Sequence, residues 1–297
     1  MAVRPHEGTA ARGLTAARAM RAAAVAGPGE ARVERAAVPA SRPGEVLVRI
    51  EGCGVCASSL PLWEGRPWFA YPHEPGAPGH EGWGYELDSG RRVALLSYHA
   101  FAEYDVAPAE HVVELPAELD GLPFPGEAFG CAVSVVRRAG VDHGERVAIV
   151  GVGFLGSAVA QLCERAGAEV VRVRRDSIVD EAFSLVIEAA GTQAALDTAS
   201  RLVGERGKLV LAGYHQDGPR TVDLQSWNWR GIDVVNAHER DPGRRVAAMR
   251  DAVQLVAAGD LDVEGLVTHR FPLERIGDAF EAARRREPGF VKAWVAP

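Results

Sequence analysis

The chain has 297 residues, of which 47% are hydrophobic and 25% charged, so it can fill the cores of two domains of ordinary size. Its formal net charge of -7 excludes a broad basic surface for nucleic acid or an anionic membrane, because such surfaces need an excess of lysine and arginine. Its apolar runs fall short of the roughly 20 residues that span a bilayer, and its 4 cysteines are too few for a disulfide framework, so we expect a soluble cytoplasmic protein.

Residues 1–19 contain arginines and alanines but lack the apolar core of a secretory signal, so we expect a flexible tail that ends before Met20. From Met20 onward, apolar and polar residues alternate between Gly-Pro and Pro-Gly breaks, a pattern typical of short antiparallel strands. Residues 20–125 are therefore predicted to form a β-rich domain that carries its chemistry in loops.

Two loops of this domain contain residue types that bind metals. One is GCGVCASS, with Cys56 and Ser58, and the other is PGHEG, with His80 and Glu81. Zinc accepts a thiolate together with an imidazole, and glycines let both loops fold tightly. A third ligand is needed, and the candidate is Glu127, which lies just before the helix that leads into the next domain.

Residues 147–175 have the pattern of a strand, a glycine turn, a helix and a second strand. In this context the G-x-G-x-x-G spacing predicts a pyrophosphate site. Gly151 permits the tight turn, Gly153 lets the backbone approach the phosphates, and Gly156 lets the helix pack close to its strand. The residues predicted to bind the cofactor here are Gly151, Gly153, Phe154, Leu155 and Gly156.

Arg174 and Arg175 stand where NAD-binding folds usually have an Asp or Glu for the ribose 2′-hydroxyl. Guanidinium groups can bind a 2′-phosphate that a carboxylate would repel, so the sequence favours NADP(H) over NAD(H). In the alternative interpretation, the arginines are a solvated strand end and Asp176 binds the ribose.

Strands alternate with helices through the rest of residues 126–265, which predicts an α/β, doubly wound parallel sheet with its ligand crevice at the carboxyl ends of the strands. Gly191 and Gly213 lie at two such ends and are predicted cofactor contacts. Tyr214, His215 and His238 follow strand-like runs, and we favour solvated loop positions for the two histidines over contacts with nicotinamide or substrate.

These motifs, in this order, resemble the zinc-dependent medium-chain dehydrogenase/reductase family, which includes alcohol, polyol and threonine dehydrogenases. The segments that carry the resemblance are GCGVCASS, PGHEGWG, FAEYDVAP, GEAFGCAVSVVRRAGV, the glycine turn, VIEAAG and GKLVLAGY. The resemblance implies a GroES-like catalytic domain, residues 20–125 completed by residues 266–297, and a Rossmann dinucleotide-binding domain, residues 126–265.

Carried over to this sequence, the resemblance makes Cys56, His80 and Glu127 the ligands of a single catalytic zinc ion. Ser58 and Glu81 become the catalytic residues: Ser58 hydrogen-bonds the substrate oxygen and passes on its proton, and Glu81 is a supporting group or an exchangeable ligand. The implied reaction transfers a hydride between NADP(H) and a small alcohol or carbonyl substrate. A homodimer joined through the nucleotide-binding domains is expected.

Departures from the family pattern leave other functions open. Ser59 replaces an Asp that usually orients a zinc ligand, and no histidine follows to complete the proton relay of classical alcohol dehydrogenases. The lobe that carries four cysteines for a structural zinc is missing, and the short segment 175–183 indicates a trimmed nucleotide-binding domain. The alternatives are a reductase of conjugated C=C or C=N bonds on the same fold and a non-catalytic protein that binds NADP(H).

Overall fold

The computed structural model describes residues 18–297. Residues 1–17, most of the expected tail, lie outside the described residues, and the first strand already begins at Ala19. Among the helices of the described chain, none combines the length and the apolar character that a membrane crossing needs.

The first part of the chain forms antiparallel sheets and one short helix, α1 (Leu60–Trp63). Strands β1 (Ala19–Gly27) and β2 (Glu30–Ala37) form a hairpin. A larger sheet has seven strands, and β6 (Tyr104–Pro108) is paired with β3 outside the main path. The other six are, in spatial order, β13 (His269–Pro272), β14 (Ala293–Ala296), β3 (Glu45–Gly54), β4 (Gly82–Glu86), β5 (Arg92–Leu95) and β7 (Val112–Glu114). The two C-terminal strands therefore belong to this sheet, while the domain boundaries stay a prediction.

The second part is a five-stranded parallel sheet with helices, and it confirms the predicted α/β fold class. Its spatial order is β9 (Glu169–Val173), β8 (Arg146–Val150), β10 (Phe183–Glu188), β11 (Val203–Leu211) and β12 (Asp233–Asn236). The helices are α2 (Gly126–Ala139), α3 (Phe154–Arg165), α4 (Gln193–Leu202), α5 (Leu224–Arg230) and α6 (Pro242–Ala257).

The strand order changes direction between β8 and β10, and a crevice for a ligand forms at the carboxyl ends of strands at such a point. The dinucleotide-binding order 3-2-1-4-5-6 has a further strand beyond its second one. In the described chain β9 is instead the edge of the sheet, because only residues 174–182 connect it to β10. The end of β9 is consequently open to solvent.

Helix α2 joins the two parts of the chain because two of its glycines allow very close packing. A Cβ atom on Gly126 would lie 2.7 Å from the Cβ of Ala94 in β5. A Cβ atom on Gly130 would lie 3.0 Å from the Cγ of Met249 in α6. Glu127, between these glycines, is thereby held where the antiparallel sheet meets the nucleotide-binding part.

Helix α7 (Ile276–Arg285) attaches the C-terminal segment to the first part of the chain. The ring of Phe280 is fully buried, stacks on Trp63 at 5.0 Å between centroids, and meets the ring of Phe101 edge-on at 5.9 Å. Trp63 Nε1 also donates a hydrogen bond of 2.8 Å to Glu281. Aromatic packing therefore fixes α7 beside α1.

We expect Phe280→Ala to lower the free energy of unfolding by about 3–5 kcal/mol, because it removes a buried ring and leaves a cavity. Urea denaturation followed by circular dichroism would measure the change. The control is Leu87→Ala, since Leu87 is 43% exposed and its truncation should change stability by about 0.5 kcal/mol or less. A loss below about 1 kcal/mol for Phe280→Ala would contradict this account of the packing.

Candidate active site

Cys56, His80 and Glu81 come together because they flank two neighbouring strands. Cys56 follows β3, and His80 and Glu81 precede β4, which is antiparallel to β3 and pairs Cys53 with Gly82. The thiol sulfur, an imidazole nitrogen and a carboxylate oxygen of these three residues lie within 4.8 Å of one another. One soft and two harder donors at this spacing match a zinc site.

The ring of His80 is oriented by a backbone carbonyl. Its Nδ1 lies 2.8 Å from the carbonyl oxygen of Pro78, which can only accept, so Nδ1 carries a proton and Nε2 faces the site, 3.5 Å from Ser58 Oγ. Burial lowers the pKa of His80, but the hydrogen bond with Cys56 and the negative charges of Cys56, Glu127 and Glu81 raise it to about 10. The surroundings of Nε2 therefore favour a cation.

Glu81 is fully buried and shares an ion pair with Lys292, which is also buried. Lys292 Nζ donates a hydrogen bond of 2.8 Å to Oε1 and forms an ion pair at 2.7 Å with Oε2. Burial lowers the pKa of Lys292, but the negative charges of Glu81, Cys56 and Glu127 and the hydrogen bond to Glu81 together outweigh it, so the net shift is upward. Lys292 thus holds the Glu81 carboxylate in place beside Cys56 and His80.

Glu127, the predicted third ligand, is not part of this group. Arg245 Nη2 of α6 donates a hydrogen bond of 2.6 Å to its Oε1, and Cys131 Sγ lies 3.4 Å from the same oxygen. Burial raises the pKa of Glu127, but the positive charges of His80 and Arg245 lower it overall. Glu127 therefore adds negative charge near the group, whereas Glu81 supplies the carboxylate closest to Cys56 and His80.

The other two cysteines near the site have free thiols; one residue is fully buried and the other half-buried. Cys53 is fully buried in β3, and burial raises its pKa well above the usual value. Burial also raises the pKa of Cys131 well above its usual value, and the nearby carboxylate of Glu127 adds to the effect. Both side chains stay protonated at neutral pH, which agrees with their interpretation as packing residues.

A cleft of about 300 Å³ opens beside His80 and contains Ser58, the predicted proton carrier, in its wall. Trp68, Phe69 and Tyr98 form much of the apolar lining. Two further tryptophans close in sequence, Trp63 and Trp83, are instead core residues. We call Cys56, His80 and Glu81 the metal-type group. The cleft connects this group to an aromatic surface.

The glycine turn after β8 has the geometry that its spacing predicts. Gly151 has φ +96°, which favours glycine, and a Cβ atom on Gly156 would lie 1.9 Å from the carbonyl oxygen of Gly151. Gly153 is extended and open on its outer side, where the nearest atom to an added Cβ is Arg286 Nη1 at 3.7 Å. The outer side of the turn thus leaves room for a ligand beside a guanidinium.

Phe154 and Leu155 begin helix α3 directly after this turn. Lys292 Nζ lies 4.5 Å from the centroid of the Phe154 ring, and Leu155 packs against the main core. Lys292 therefore contacts both Glu81 and the start of the helix that carries the glycine turn.

Arg174 and Arg175 extend beyond the end of β9 and are exposed. The backbone N–H of Arg174 donates a hydrogen bond of 2.9 Å to Ser177 Oγ. Neither guanidinium has an ion pair with any of residues 18–297, and Asp176 is exposed beside them. Both charges remain available to an anion.

Gly191 and Gly213 lie at the carboxyl ends of β10 and β11, where the backbone is tightly packed. A Cβ atom on Gly213 would lie 2.2 Å from the backbone nitrogen of Gly191. Between them, the fully buried Glu188 accepts hydrogen bonds of 2.8 and 2.7 Å from the backbone of Ala190 and Gly191. Its other oxygen lies 2.9 Å from His215 Nε2, so His215 is an anchored residue and not the solvated loop histidine we favoured.

Sequence reasoning did not assign roles to Lys292, Arg245, Glu188 or Arg286. Lys292 and Glu188 each interrupt an apolar run, in GFVKAWV and LVIEAAG, and a charge within such a run indicates a buried, paired group. Arg245 and Arg286 lie in arginine pairs and runs that are typical of solvated helices, so the sequence holds no comparable signal for them.

Comparisons with known proteins agree with the fold. The sequence model of the family described as zinc-binding dehydrogenase matches residues 166–287. Sorbitol dehydrogenase of Ovis aries is 22% identical over an alignment that covers 88% of this chain and 92% of that protein.

Two solved structures have similar folds. A thermostable alcohol dehydrogenase of Pyrobaculum aerophilum superimposes with a TM-score of 0.79 at 25% identity, covering 94% of this chain and 100% of that chain. A protein of Sinorhizobium meliloti 1021 bound to NADP gives a TM-score of 0.78 at 23% identity, with 94% and 100% covered. At 23% identity, the similarity to the second structure shows a shared fold alone.

We expect Lys292→Met to lower the free energy of unfolding in the presence of a chelator by about 3–5 kcal/mol, because Glu81 would remain as a buried charge without a partner. Chemical denaturation measures the loss. Adding Glu81→Gln to this variant should restore much of the stability, since the double variant leaves no buried charge.

The matched control for this ion pair is Arg32→Met, because Arg32 and Glu34 form an exposed ion pair at 3.1 Å. We expect that substitution to change stability by about 0–1 kcal/mol. Equal losses for the Lys292 and Arg32 variants would show that the buried pair does not stabilise the fold in the way described.

Proposed function

We propose that the chain is a zinc-dependent medium-chain dehydrogenase/reductase that oxidises a small alcohol, or reduces the matching carbonyl compound, with NADP(H) and a bound zinc ion. The observation that carries the proposal is the group of Cys56, His80 and Glu81, which lies beside both an open cleft and the glycine turn. Hydride transfer requires the substrate in the cleft and the nicotinamide of the bound nucleotide to lie next to each other.

The residues present fit a zinc ion. Sulfur, nitrogen and oxygen donors lie within 4.8 Å of one another, and Lys292 holds the Glu81 carboxylate in place. The hydrogen bond from His80 Nδ1 to the Pro78 carbonyl oxygen aims Nε2 into the site. We therefore propose Cys56, His80 and Glu81 as the protein ligands, with Glu81 in place of the Glu127 expected from sequence. When bound, zinc would polarise the oxygen of an alcohol or carbonyl group and lower the pKa of the alcohol.

Two side chains of the chain itself support that chemistry. Ser58 Oγ lies in the cleft wall and 3.5 Å from His80, so it is the hydroxyl best situated to accept and return the proton of a substrate alcohol. Glu127, held by Arg245, keeps a negative charge near the site and so favours a cation there. Lys292 holds Glu81 so that its orientation does not depend on the metal.

The nucleotide would lie across the crevice between β8 and β10. The pyrophosphate would lie against the turn with Gly151, Gly153 and Gly156, where N–H groups at the start of α3 would bind it. Arg286 would add a charge-assisted hydrogen bond. Gly191 and Gly213 would leave room at the strand ends for the nicotinamide riboside. The bound nicotinamide supplies the hydride acceptor or donor.

NADP(H) is proposed over NAD(H) because of Arg174 and Arg175, which are exposed at the end of β9 without ion pairs in the described chain. The missing strand beyond β9 leaves space for a 2′-phosphate to reach both guanidinium groups.

A homodimer is proposed through the other edge of the parallel sheet. Strand β12 is an edge strand with Val234 exposed, and the adjacent helix α5 has no buried residue. Trp229 of α5 is 88% exposed. An open strand edge beside exposed apolar side chains is suited to pairing with a second copy.

We expect protein purified without added metal to contain about one zinc ion per chain and to oxidise alcohols with NADP⁺. Cys56→Ser and Glu81→Gln should lose most of the metal and the turnover but retain NADPH binding, because the glycine turn is intact. Elemental analysis and cofactor fluorescence measure these properties. A panel with enones and imines tests the C=C and C=N alternatives.

Two further variants sharpen this experiment. Cys163→Ala is the matched control, since Cys163 is buried in α3, and it should keep its zinc. Glu127→Gln should also retain zinc if Glu81 is the third ligand; loss of zinc in Glu127→Gln but not in Glu81→Gln would restore the ligand set expected from sequence. Full alcohol turnover by metal-free Cys56→Ser protein would refute the proposed reaction.

We expect Arg174→Ala and Arg175→Ala each to raise the KM for NADPH about 10-fold or more, because a charge-assisted hydrogen bond to phosphate is lost. The KM for NADH should change by about 2-fold or less. Arg172→Ala is the control, since Arg172 is paired with Glu164 at 2.6 Å. Equal effects on both cofactors, or weaker NADH binding by Asp176→Ala alone, would favour ribose binding by Asp176.

A further inference from the structure

The residues that line the cleft beside His80 limit which alcohols can bind there, whereas the reaction itself would allow many. Its volume is about 300 Å³, near the lower end for small-molecule sites. One wall belongs to the metal-binding part of the chain, and the other, with Tyr214 and Gln216, belongs to the loop after β11. The two walls face each other across the place where the substrate would lie.

Aromatic rings dominate the apolar part of this cleft. Trp68, Tyr98 and Tyr214 are 55%, 49% and 59% exposed, unlike the buried Trp63 and Trp83. Tyr98 is held parallel to the His80 ring at 6.3 Å, and Tyr214 is nearly parallel to the His238 ring at 5.7 Å. Exposed, pre-oriented rings at a binding site favour a flat ring in the ligand.

Within the described chain, the lining of the cleft includes no Asp, Glu, Lys or Arg. Apart from His80, its polar side chains are those of Ser58, Ser59, Gln216 and the tyrosines. A substrate amine would therefore lose its hydration without gaining a counter-charge, and a carboxylate would find no lysine or arginine to pair with. A linear polyol would find hydrogen-bond partners in this lining but would offer no flat face to its aromatic rings.

The side-chain amide of Gln216 is fixed by one hydrogen bond that its nitrogen donates. Nε2 donates this bond of 3.0 Å to the carbonyl oxygen of Ala57, next to Cys56. Oε1 accepts no hydrogen bond within the described residues, so it can accept one from a ligand. The loop is anchored by His215, whose Nε2 donates to buried Glu188 at 2.9 Å and whose Nδ1 accepts from Arg220 Nε at 2.9 Å. The position of the Gln216 amide is therefore held from both sides.

We propose that this cleft binds a neutral alcohol, or the matching ketone, that carries a planar ring next to the reacting carbon and a second hydroxyl group that donates to Gln216. The proposal rests on the proposed function for the reacting carbon. It assigns Trp68, Tyr98 and Tyr214 to the ring and Gln216 to the second hydroxyl. These residues determine specificity, and the metal-type group and Ser58 act on the oxygen that reacts.

The test uses four alcohols with the zinc-loaded full chain. The reference compound is 1-phenyl-1,2-ethanediol. In 1-cyclohexyl-1,2-ethanediol the flat ring is replaced, and in 1-phenyl-1-propanol the second hydroxyl is replaced by methyl. Sorbitol is the fourth alcohol. Calorimetry with saturating NADPH measures affinity without turnover, because the reduced cofactor cannot accept a hydride. Oxidation with NADP⁺ is measured in parallel.

We expect 1-phenyl-1,2-ethanediol to bind about 5-fold more tightly than either matched analogue and more than about 10-fold more tightly than sorbitol. Trp68→Ala should weaken both phenyl compounds, and Gln216→Leu should remove the preference for the diol over 1-phenyl-1-propanol. Leu87→Ala, outside the cleft, is the control and should change neither.

Three results would overturn the proposal: sorbitol binding as tightly as the phenyl diol, equal binding of phenyl and cyclohexyl diols, or no binding of any of the four alcohols. The expected order of affinities without any oxidation would instead uphold the cleft assignment and refute the proposed function. The two proposals therefore fail separately.

Discussion

The buried ion pair between Glu81 and Lys292 is the interaction on which the site depends most. Glu81 lies at the start of β4 and Lys292 just before β14, so the pair connects the loop of the metal-type group to the end of the chain. A Cβ atom on Gly54 would lie 1.9 Å from Glu81 Oε2, which explains why this strand end has glycine. Lys292 also contacts Phe154, so one ammonium group links both ligand-binding regions.

Charge is balanced around the site by residues from distant parts of the sequence. Glu81 and Glu127 supply negative charge, and Lys292 and Arg245 each take one of these carboxylates. Cys56, Glu127 and Glu81 raise the pKa of His80 to about 10, so the surroundings of its ring favour a positive charge. The arrangement stabilises a positive ion between the two parts of the chain, where neither part alone carries the full set of charges.

Local patterns were predictable, and distant pairings were not. The glycine turn follows from strand, turn and helix signals within 29 consecutive residues, and Cys56, His80 and Glu81 stand at the ends of adjacent antiparallel strands. The prediction of Glu127 as a third ligand did not include its ion pair, because nothing near it in sequence reveals Arg245, 118 residues away. His215 was misinterpreted for the same reason, since its partner Glu188 precedes it by 27 residues.

The two edges of the parallel sheet differ in a way that limits how copies of the chain can assemble. On β9, Arg172 and Glu169 carry charges that are engaged with Glu164 and Arg146, and such charges disfavour pairing with another strand. On β12, Val234 is exposed and no comparable ion pair is present within the described residues. Association through β12 alone uses the same surface on both copies, so it closes after two chains and cannot propagate into a filament.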